Sequence, residues 1–322
     1  MYLCSIRGRC KTTAPFSYTK HVNRREFAAG LRGVFGFPVT PFRADLSLDL
    51  DALAHNVDEM AKHPFCAMVA AGGTGELYSL SVEEAQAVVA TTVKAVRGRM
   101  PVVAGTGFNT PIGCEMARRA AKAGAEFLLV LPPYYGASPE EGLFAYYEAI
   151  GAASELPMMV YSRDWAVFTP EMVARLADRV PTLVAWKDGQ GDVRKYQRIM
   201  DRNGDRLAWF GGLGDDCVPG YFAIGVQAYT SSISNVSPQL SLALADAGMK
   251  QDFHALNRLM IEYVHPLYAI RERAKGYEVA VMKEAMEMLG MPAGPVRPPL
   301  SNCRAQDKED VRRLMEKYRR IV

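Results

Sequence analysis

The chain alternates short apolar runs with longer segments in which apolar residues recur at helical spacing. Eight of the short runs predict buried strands, at residues 33–39, 66–71, 101–105, 126–131, 157–161, 182–187, 206–211 and 225–230. Segments between them predict helices, for example at residues 49–62, 81–96, 110–123 and 169–178. Some of these segments begin with capping residues, since Glu84 follows Ser81 by three positions and Thr169 precedes Pro170.

Eight strand–helix units of about 25–30 residues each fit either a closed barrel or a doubly wound sheet. The even spacing favours the barrel. A doubly wound nucleotide-binding fold would also carry a glycine-rich turn after its first strand, whereas this chain has Phe37-Pro38-Val39-Thr40-Pro41-Phe42 there. We therefore expect an α/β protein with a (β/α)8 TIM barrel over residues 26–248.

Both ends of the chain extend beyond this predicted barrel. Three more helical patterns, at residues 251–273, 277–289 and 307–320, predict a C-terminal helical region over residues 249–322 that packs on the barrel. Residues 1–25 hold six of the 38 Lys and Arg residues and none of the 35 Asp and Glu residues, and we expect them to form a disordered basic tail. The rest of the chain is slightly acidic, which argues against a nucleic-acid partner.

Cysteine usage and one uncharged segment bear on the protein's location. The six cysteines lie far apart without a C-x-x-C pair, which favours a reducing compartment over a disulfide framework or a zinc site. Residues 217–245 carry no charge, but they include Gln227, Asn235 and four serines between Ser231 and Ser237, so burial in a globular domain explains them better than a membrane span. No apolar segment follows Arg24-Arg25, so we do not interpret the tail as an export signal. We expect a cytoplasmic protein without a membrane partner.

The active site of a (β/α)8 barrel lies at the carboxyl ends of its strands, which makes strand-end residues candidates for chemistry. Lys187 ends the sixth predicted strand. Loss of solvation in an apolar barrel mouth favours the neutral amine of a lysine, which can then attack a carbonyl group. The alternative is a lysine that caps the strand and pairs with Asp188. This residue alone does not decide between the two.

Two other strand ends favour the catalytic interpretation. Tyr161 ends the fifth predicted strand, where its phenol could relay protons, although a strand-end tyrosine with its hydroxyl in water is also common. The turn Gly72-Gly73-Thr74-Gly75-Glu76 follows the second predicted strand and offers backbone N–H groups to a carboxylate, with the Thr74 hydroxyl beside them. Taken alone it could be an ordinary tight turn. Together, the three strand ends indicate a site for imine chemistry.

The sequence offers little for other chemistries. No His, Asp and Glu cluster has metal-ligand spacing, and no G-x-S-x-G motif indicates hydrolysis. The histidines fall in the tail or on predicted helices, at His21, His55, His63, His254 and His265. We expect no metal and no cofactor.

These residues together resemble the dihydrodipicolinate synthase/N-acetylneuraminate lyase family of Schiff-base barrels, from residue 31 to about residue 300. The resemblance implies that Gly73 and Thr74 bind the substrate's carboxylate, that Tyr161 relays protons with the help of Thr74, and that Lys187 forms the imine. The synthase subgroup has a hydroxyl residue where this chain has Gly73. It also has a proline and then an arginine after the tyrosine, and neither is in place here.

A closer resemblance is to the subgroup that dehydrates 5-dehydro-4-deoxyglucarate. The segments that carry it are residues 70–76, 187–192, 211–213, 271–283 and 293–300. It implies a decarboxylating dehydration to 2,5-dioxopentanoate, carbon dioxide and water. Two alternatives stay open: a pyruvate-dependent aldolase or synthase of the same family acting on another 2-oxo acid, and a non-catalytic sensor of oxo acids.

The resemblance also implies substrate contacts and an assembly. Ser231 and Asn235 are expected to contact the hydroxyls or the distal carboxylate of a small 2-oxo acid or sugar acid. A homo-oligomer, either a dimer or a tetramer, is expected, and Tyr135 is the residue expected to enter a neighbour's site. We expect Arg297, which lies among prolines, to be structural or interfacial.

Overall fold

Eight parallel strands close into a barrel in the computed structural model of this chain, which describes residues 23–134, 136 and 138–321. The strands are β1 Gly33–Gly36, β2 Ala67–Ala70, β3 Val102–Phe108, β4 Phe127–Pro133, β5 Met158–Ser162, β6 Leu183–Asp188, β7 Ala208–Gly211 and β8 Ala228–Ser231. They pair in chain order, and β1 pairs with β8 to close the barrel. Each strand overlaps one of the eight predicted runs, so the predicted TIM barrel is confirmed.

One helix precedes β1, one lies between each pair of successive strands, and the others follow β8. They are α1 Arg24–Ala29, α2 Leu50–Met60, α3 Val82–Val96, α4 Thr110–Lys122, α5 Glu140–Ala152, α6 Pro170–Arg179, α7 Val193–Asn203, α8 Val218–Ala223, α9 Pro238–Met249, α10 Phe253–Leu259, α11 His265–Arg271, α12 Tyr277–Met288 and α13 Ala305–Tyr318. The predicted caps form: Ser81 and Glu84 make a reciprocal capping box on α3, and the Thr169 hydroxyl accepts from the Met172 N–H at the start of α6. A π-helical turn, Met260–Val264, joins α10 to α11 within the predicted helix 251–273.

The apolar core has two layers because side chains alternate along each strand. Phe35 and Leu129 belong to the layer inside the barrel, and Leu128 and Trp186 belong to the layer between strands and helices. The inner layer also includes Phe27 of α1, a helix that contacts β6 and β7. Helix α1 therefore closes the amino-terminal end of the barrel and leaves the opposite end open.

This role of α1 corrects the predicted boundary of the basic tail. Arg24 and Arg25 form the start of the helix and do not belong to a disordered segment, because the helix is anchored by the buried Phe27 and Ala28. The Asn23 side chain accepts from the Arg25 N–H at its start. The remaining residues of the predicted tail, 1–22, lie outside the described residues.

The uncharged segment 217–245 contains α8, β8 and most of α9. Several of its large side chains, including Tyr221, Tyr229 and Leu244, are fully buried in the barrel wall and the helix layer. Within the described part of the chain, no helix has the length and apolar character needed to cross a membrane.

The C-terminal helices pack beside the barrel, and the segment between α12 and α13 returns to the barrel's open end. Asn56 of α2 donates to the Pro292 carbonyl at 2.7 Å, and the Phe42 N–H donates to the Ala293 carbonyl at 3.2 Å. Gly294 follows with φ +66°, and a Cβ there would lie 1.8 Å from the Phe42 carbonyl oxygen, so only glycine allows this approach. The segment between α12 and α13 is thereby placed next to the loop that follows β1.

Candidate active site

Lys187 points into the barrel from the end of β6. It is paired in register with Tyr161 at the end of β5, and its amino group lies 3.2 Å from the centroid of the Tyr161 ring. The amino group donates to the Gly212 carbonyl at 3.1 Å, and the Tyr161 hydroxyl donates to the same carbonyl at 2.8 Å. One acceptor therefore holds both groups that the sequence singled out.

The surroundings of Lys187 favour its neutral form. Only 2% of its surface is exposed, and this burial holds the pKa of its amine well below the ordinary value for lysine. The positive charge of Arg163 lowers that pKa further, while Asp188 opposes the shift. A neutral amine is the form that attacks a carbonyl carbon.

Asp188 does not pair with Lys187, so the structural alternative for this lysine is not found. Consecutive residues of a strand face opposite sides, and Asp188 points towards the helix layer. Its carboxylate accepts from the Tyr221 hydroxyl at 2.9 Å and from the Gly191 N–H at 3.0 Å. The lysine amine is thereby left to the barrel interior.

Two glycines leave room for the lysine and the tyrosine. A Cβ on Gly212 would lie 2.4 Å from both Cγ and Cε of Lys187, and a Cβ on Gly189 would lie 2.4 Å from the Tyr161 ring. Side chains at these positions would displace the two reactive groups. The narrow fit fixes the positions of Lys187 and Tyr161 relative to each other.

The loop of residues 72–76 forms another part of the mouth. Gly73 and Thr74 line the cavity, and their N–H groups donate to no acceptor in the described part of the chain. Ala71 and Glu76 both adopt left-handed backbone conformations, with φ of 51° and 52°. Such conformations cost about 1–3 kcal/mol each for residues with a Cβ and persist only where the surroundings impose them. The loop is therefore held in a fixed shape that presents two free donors.

These groups border a cavity of about 510 Å³ at the carboxyl end of the barrel. The wall that carries the predicted chemistry consists of Phe37, Gly73, Thr74, Tyr161, Arg163, Lys187 and Gly212. The remaining wall comes from the end of β8 and from the C-terminal helices, and includes Thr230, Ser232, Tyr268, Arg271, Lys275 and Glu278. The cavity is large enough for a six-carbon acid.

Sequence reasoning missed three cationic residues of this cavity, Arg163, Arg271 and Lys275, of which the two arginines are buried more deeply. Arg163 lies two positions after Tyr161, so strand alternation could have placed it on the same side, and its Nη1 would lie 3.7 Å from a Cβ on Gly73. Arg271 lies far along the chain on α11, and no local pattern connects it to the barrel mouth. Both residues can attract an anionic substrate.

Ser231 and Asn235 lie behind the cavity wall and do not line it. The Ser231 hydroxyl is fully buried and bonds to Asp215 and to the Ser241 hydroxyl, on the helix side of β8. Asn235 donates to the Phe37 carbonyl at 2.8 Å and accepts from the Val39 N–H at 3.0 Å. The structure thus does not bring these two residues to Lys187 and Tyr161. Their neighbours Thr230 and Ser232 face the cavity instead.

The remaining predicted residues lie elsewhere. Arg297 bonds to Glu84 and to the carbonyls of Leu46 and Ser79, away from the cavity, which agrees with a structural role. Tyr135 lies outside the described residues. Within the described part of the chain, no group of three His, Cys, Asp or Glu side chains is placed to hold a metal ion.

Comparisons with known proteins place this geometry in a family. The model of the dihydrodipicolinate synthetase family matches residues 30–318. A probable 5-dehydro-4-deoxyglucarate dehydratase of Bradyrhizobium diazoefficiens is 40% identical over 287 residues, covering 88% of this chain and 91% of that protein. A protein of the same description from Saccharopolyspora erythraea is 40% identical over 288 residues, covering 89% and 92%.

Solved structures agree with this similarity. The crystal structure of dihydrodipicolinate synthase from Bacillus clausii matches with a TM-score of 0.85 and 30% identity, covering 91% of this chain and 99% of that one. The synthase from Oceanobacillus iheyensis matches with a TM-score of 0.87 and 27% identity, covering 92% and 100%. With the family model matched over most of its length and relatives of 40% identity, this chain belongs to the dihydrodipicolinate synthetase family.

Proposed function

We propose that this protein is a Schiff-base lyase that converts 5-dehydro-4-deoxyglucarate to 2,5-dioxopentanoate, carbon dioxide and water. The observation that carries the proposal is the buried amine of Lys187, packed on the Tyr161 ring and held with the Tyr161 hydroxyl by one carbonyl. The choice of substrate is supported by relatives of about 40% identity, which are described as probable dehydratases of this compound.

The reaction begins with imine formation at the ketone of the substrate. The carboxylate next to that ketone binds the free N–H groups of Gly73 and Thr74. The neutral Lys187 amine adds to the ketone carbon, and the Tyr161 hydroxyl protonates the oxygen that leaves as water. An iminium ion and a tyrosinate result. The tyrosinate, beside the Thr74 hydroxyl, then takes a proton from the neighbouring methylene carbon and leaves an enamine.

The enamine expels the hydroxyl of the next carbon, which Tyr161 protonates so that it leaves as a second water. The conjugated iminium that remains accepts an electron pair, so the distal carboxylate leaves as carbon dioxide and its bonding electrons enter the conjugated system. Protonation of that system and addition of one water release 2,5-dioxopentanoate and the Lys187 amine. One water is therefore released overall.

The experiment that tests the proposal combines trapping of the imine with product analysis. Borohydride reduces the imine to a stable adduct, which peptide mapping then assigns to a residue. We expect an adduct on Lys187 with 5-dehydro-4-deoxyglucarate, and release of carbon dioxide when borohydride is left out. Turnover with pyruvate release would favour the aldolase alternative. Unchanged ligand binding by Lys187→Ala, with no turnover by the wild type, would favour the sensor.

We also propose that the protein assembles into a homo-oligomer, a dimer or a tetramer. The open carboxyl end of the barrel is flanked by exposed apolar side chains, including Tyr134 and Leu213. Tyr135 is the residue proposed to enter a neighbour's site. Sedimentation equilibrium tests the assembly, and a monomer at micromolar concentration would contradict it.

A further inference from the structure

Arg271, the last residue of α11, is a buried cation that forms no ion pair with any carboxylate among the described residues. Only 8% of its surface is exposed, and it lines the cavity that contains Lys187. Its Nη1 donates to the Ser232 hydroxyl at 3.0 Å, and the guanidinium lies 4.3 Å from the centroid of the Tyr268 ring. Its Nε is buried and has no hydrogen-bond acceptor in the described part of the chain. The guanidinium therefore retains unused donor capacity at the cavity wall.

The acids that face Arg271 do not supply the missing anion. Asp215, Asp216 and Glu278 act on it through space, but none of the described carboxylates forms an ion pair with it. Asp215 is already occupied, because it accepts from Ser231, from the Ser232 N–H at 3.2 Å and from the Ser232 hydroxyl at 3.1 Å. Burial of a guanidinium with an unpaired donor lowers the stability of the folded protein. A carboxylate that binds in the cavity would accept from that donor and remove this free-energy cost.

The position of Arg271 around the barrel suits the far end of a substrate. Lys187 is on β6, and the loop with Gly73 and Thr74 follows β2, on the opposite side of the barrel. Ser232, which bonds to Arg271, follows β8, midway between them. A 2-oxo acid bound at Lys187 and Thr74 can thus extend its remaining carbons towards Arg271.

We propose that Arg271, oriented by Ser232, binds the distal carboxylate of a six-carbon dicarboxylic 2-oxo acid. This inference rests on the proposed function, and it makes the second carboxylate the feature that the site selects. Guanidinium and carboxylate form charge-assisted hydrogen bonds, which are stronger than those between neutral groups. Loss of this contact weakens binding about 10- to 100-fold, and tenfold corresponds to about 1.4 kcal/mol.

The test compares two probes of equal length that differ in the distal group. 2-Oxoadipate has a second carboxylate and 2-oxohexanoate does not. Borohydride trapping on Lys187 measures, without requiring turnover, the concentration of each acid that gives half of the maximal yield of adduct. We expect the wild type to prefer 2-oxoadipate by about tenfold or more. Arg271→Met should lose this preference, and Arg258→Met, at an exposed position of α10, should keep it.

Trapping of pyruvate on Lys187 shows that each variant is folded and reactive, because pyruvate has no distal group. The inference alone is overturned if the wild type traps all three acids without preferring 2-oxoadipate, or if Arg271→Met retains the preference. The Schiff-base function and this inference fail together if the wild type traps none of them. Should Arg271→Met not fold, Arg271→Lys keeps the charge but loses the paired donors, and we expect it to reduce the preference.

Discussion

The amino group of Lys283 lies 2.6 Å from the carboxylate of Glu76, and both side chains are fully buried. Lys283 belongs to α12, whereas Glu76 ends the loop that presents Gly73 and Thr74. The Arg297 N–H donates to the second oxygen of Glu76 at 3.1 Å. The C-terminal segments 271–283 and 293–300 therefore support the substrate loop. The contacts with Glu76 thus give these C-terminal residues a structural role at the cavity.

Removal of Lys283 should destabilise the protein strongly. Lys283→Met leaves the Glu76 carboxylate buried without its partner, and breaking a buried pair in this way costs about 3–5 kcal/mol. Lys308→Met is the matched control, because its ion pair with Glu284 is partly exposed and contributes about 0–1 kcal/mol. Urea unfolding monitored by circular dichroism measures both free energies of unfolding. Equal losses for the two variants would contradict the prediction.

The same pair predicts a pH dependence of stability. Burial lowers the pKa of Lys283 from 10.5 to about 8 in the folded protein. Between about pH 8 and pH 10.5 the unfolded chain therefore binds more protons at this residue than the folded one. The contribution of Lys283 to the free energy of unfolding should accordingly rise with pH across this window. Urea unfolding at several pH values measures the free energy of unfolding of the wild type and of Lys283→Met. We expect the difference between the two, wild type minus variant, to increase with pH. A difference that is flat or falls with pH would refute the prediction.

Gly212→Ala should abolish imine formation while the barrel stays folded. The added Cβ would meet the Lys187 side chain at 2.4 Å and displace its amine from the position beside Tyr161. Gly142→Ala is the control, since a Cβ there meets nothing within 4 Å and should stabilise α5 by about 0.5–1 kcal/mol. Borohydride trapping of pyruvate compares the two variants. A normal yield of adduct in Gly212→Ala would show that Lys187 has more room than the structure allows.

Arg163→Met should shift the pH profile of the rate of imine formation, so that the rate rises at a higher pH than in the wild type. Burial is the larger cause of the low pKa of Lys187, and the positive charge of Arg163 is the second. Loss of that charge raises the pKa of the amine, so a higher pH is needed to deprotonate it. The rate of pyruvate trapping against pH measures the shift. Arg194→Met, at an exposed position on α7, should leave the profile unchanged. An unchanged profile in Arg163→Met would exclude the proposed coupling.

Asn235→Ala should lower stability without weakening ligand binding. The amide joins the end of β8 to the loop after β1 through its bonds to Phe37 and Val39, and its loss leaves buried backbone groups unpaired, at about 1–3 kcal/mol. Urea unfolding should detect this loss, while half-saturation for trapping of 2-oxoadipate, which carries a distal carboxylate, stays as in the wild type. The opposite pattern, normal stability with weakened binding, would restore Asn235 as a substrate contact.

The sequence by itself determined the barrel and the centre of the candidate site. Eight apolar runs separated by helical patterns predict parallel strands, and the carboxyl ends of such strands meet at one edge. Lys187 and Tyr161 lie near the ends of their strands and Thr74 lies in the loop after β2, so local information sufficed to bring them together. Ser231 shows the limit of this reasoning, because a shift of one position along a strand moves a side chain to the opposite face.

Only the tertiary structure decided which distant residues complete the mouth. Glu76 and Lys283 lie 207 positions apart, and Arg271 reaches the cavity only because α11 packs beside the end of β8. No periodicity links such residues, since their meeting depends on how whole helices pack on the barrel and not on local backbone preference. Burial of the Lys283 and Glu76 charges then makes these two residues partners, because removing one partner of a buried ion pair is costly.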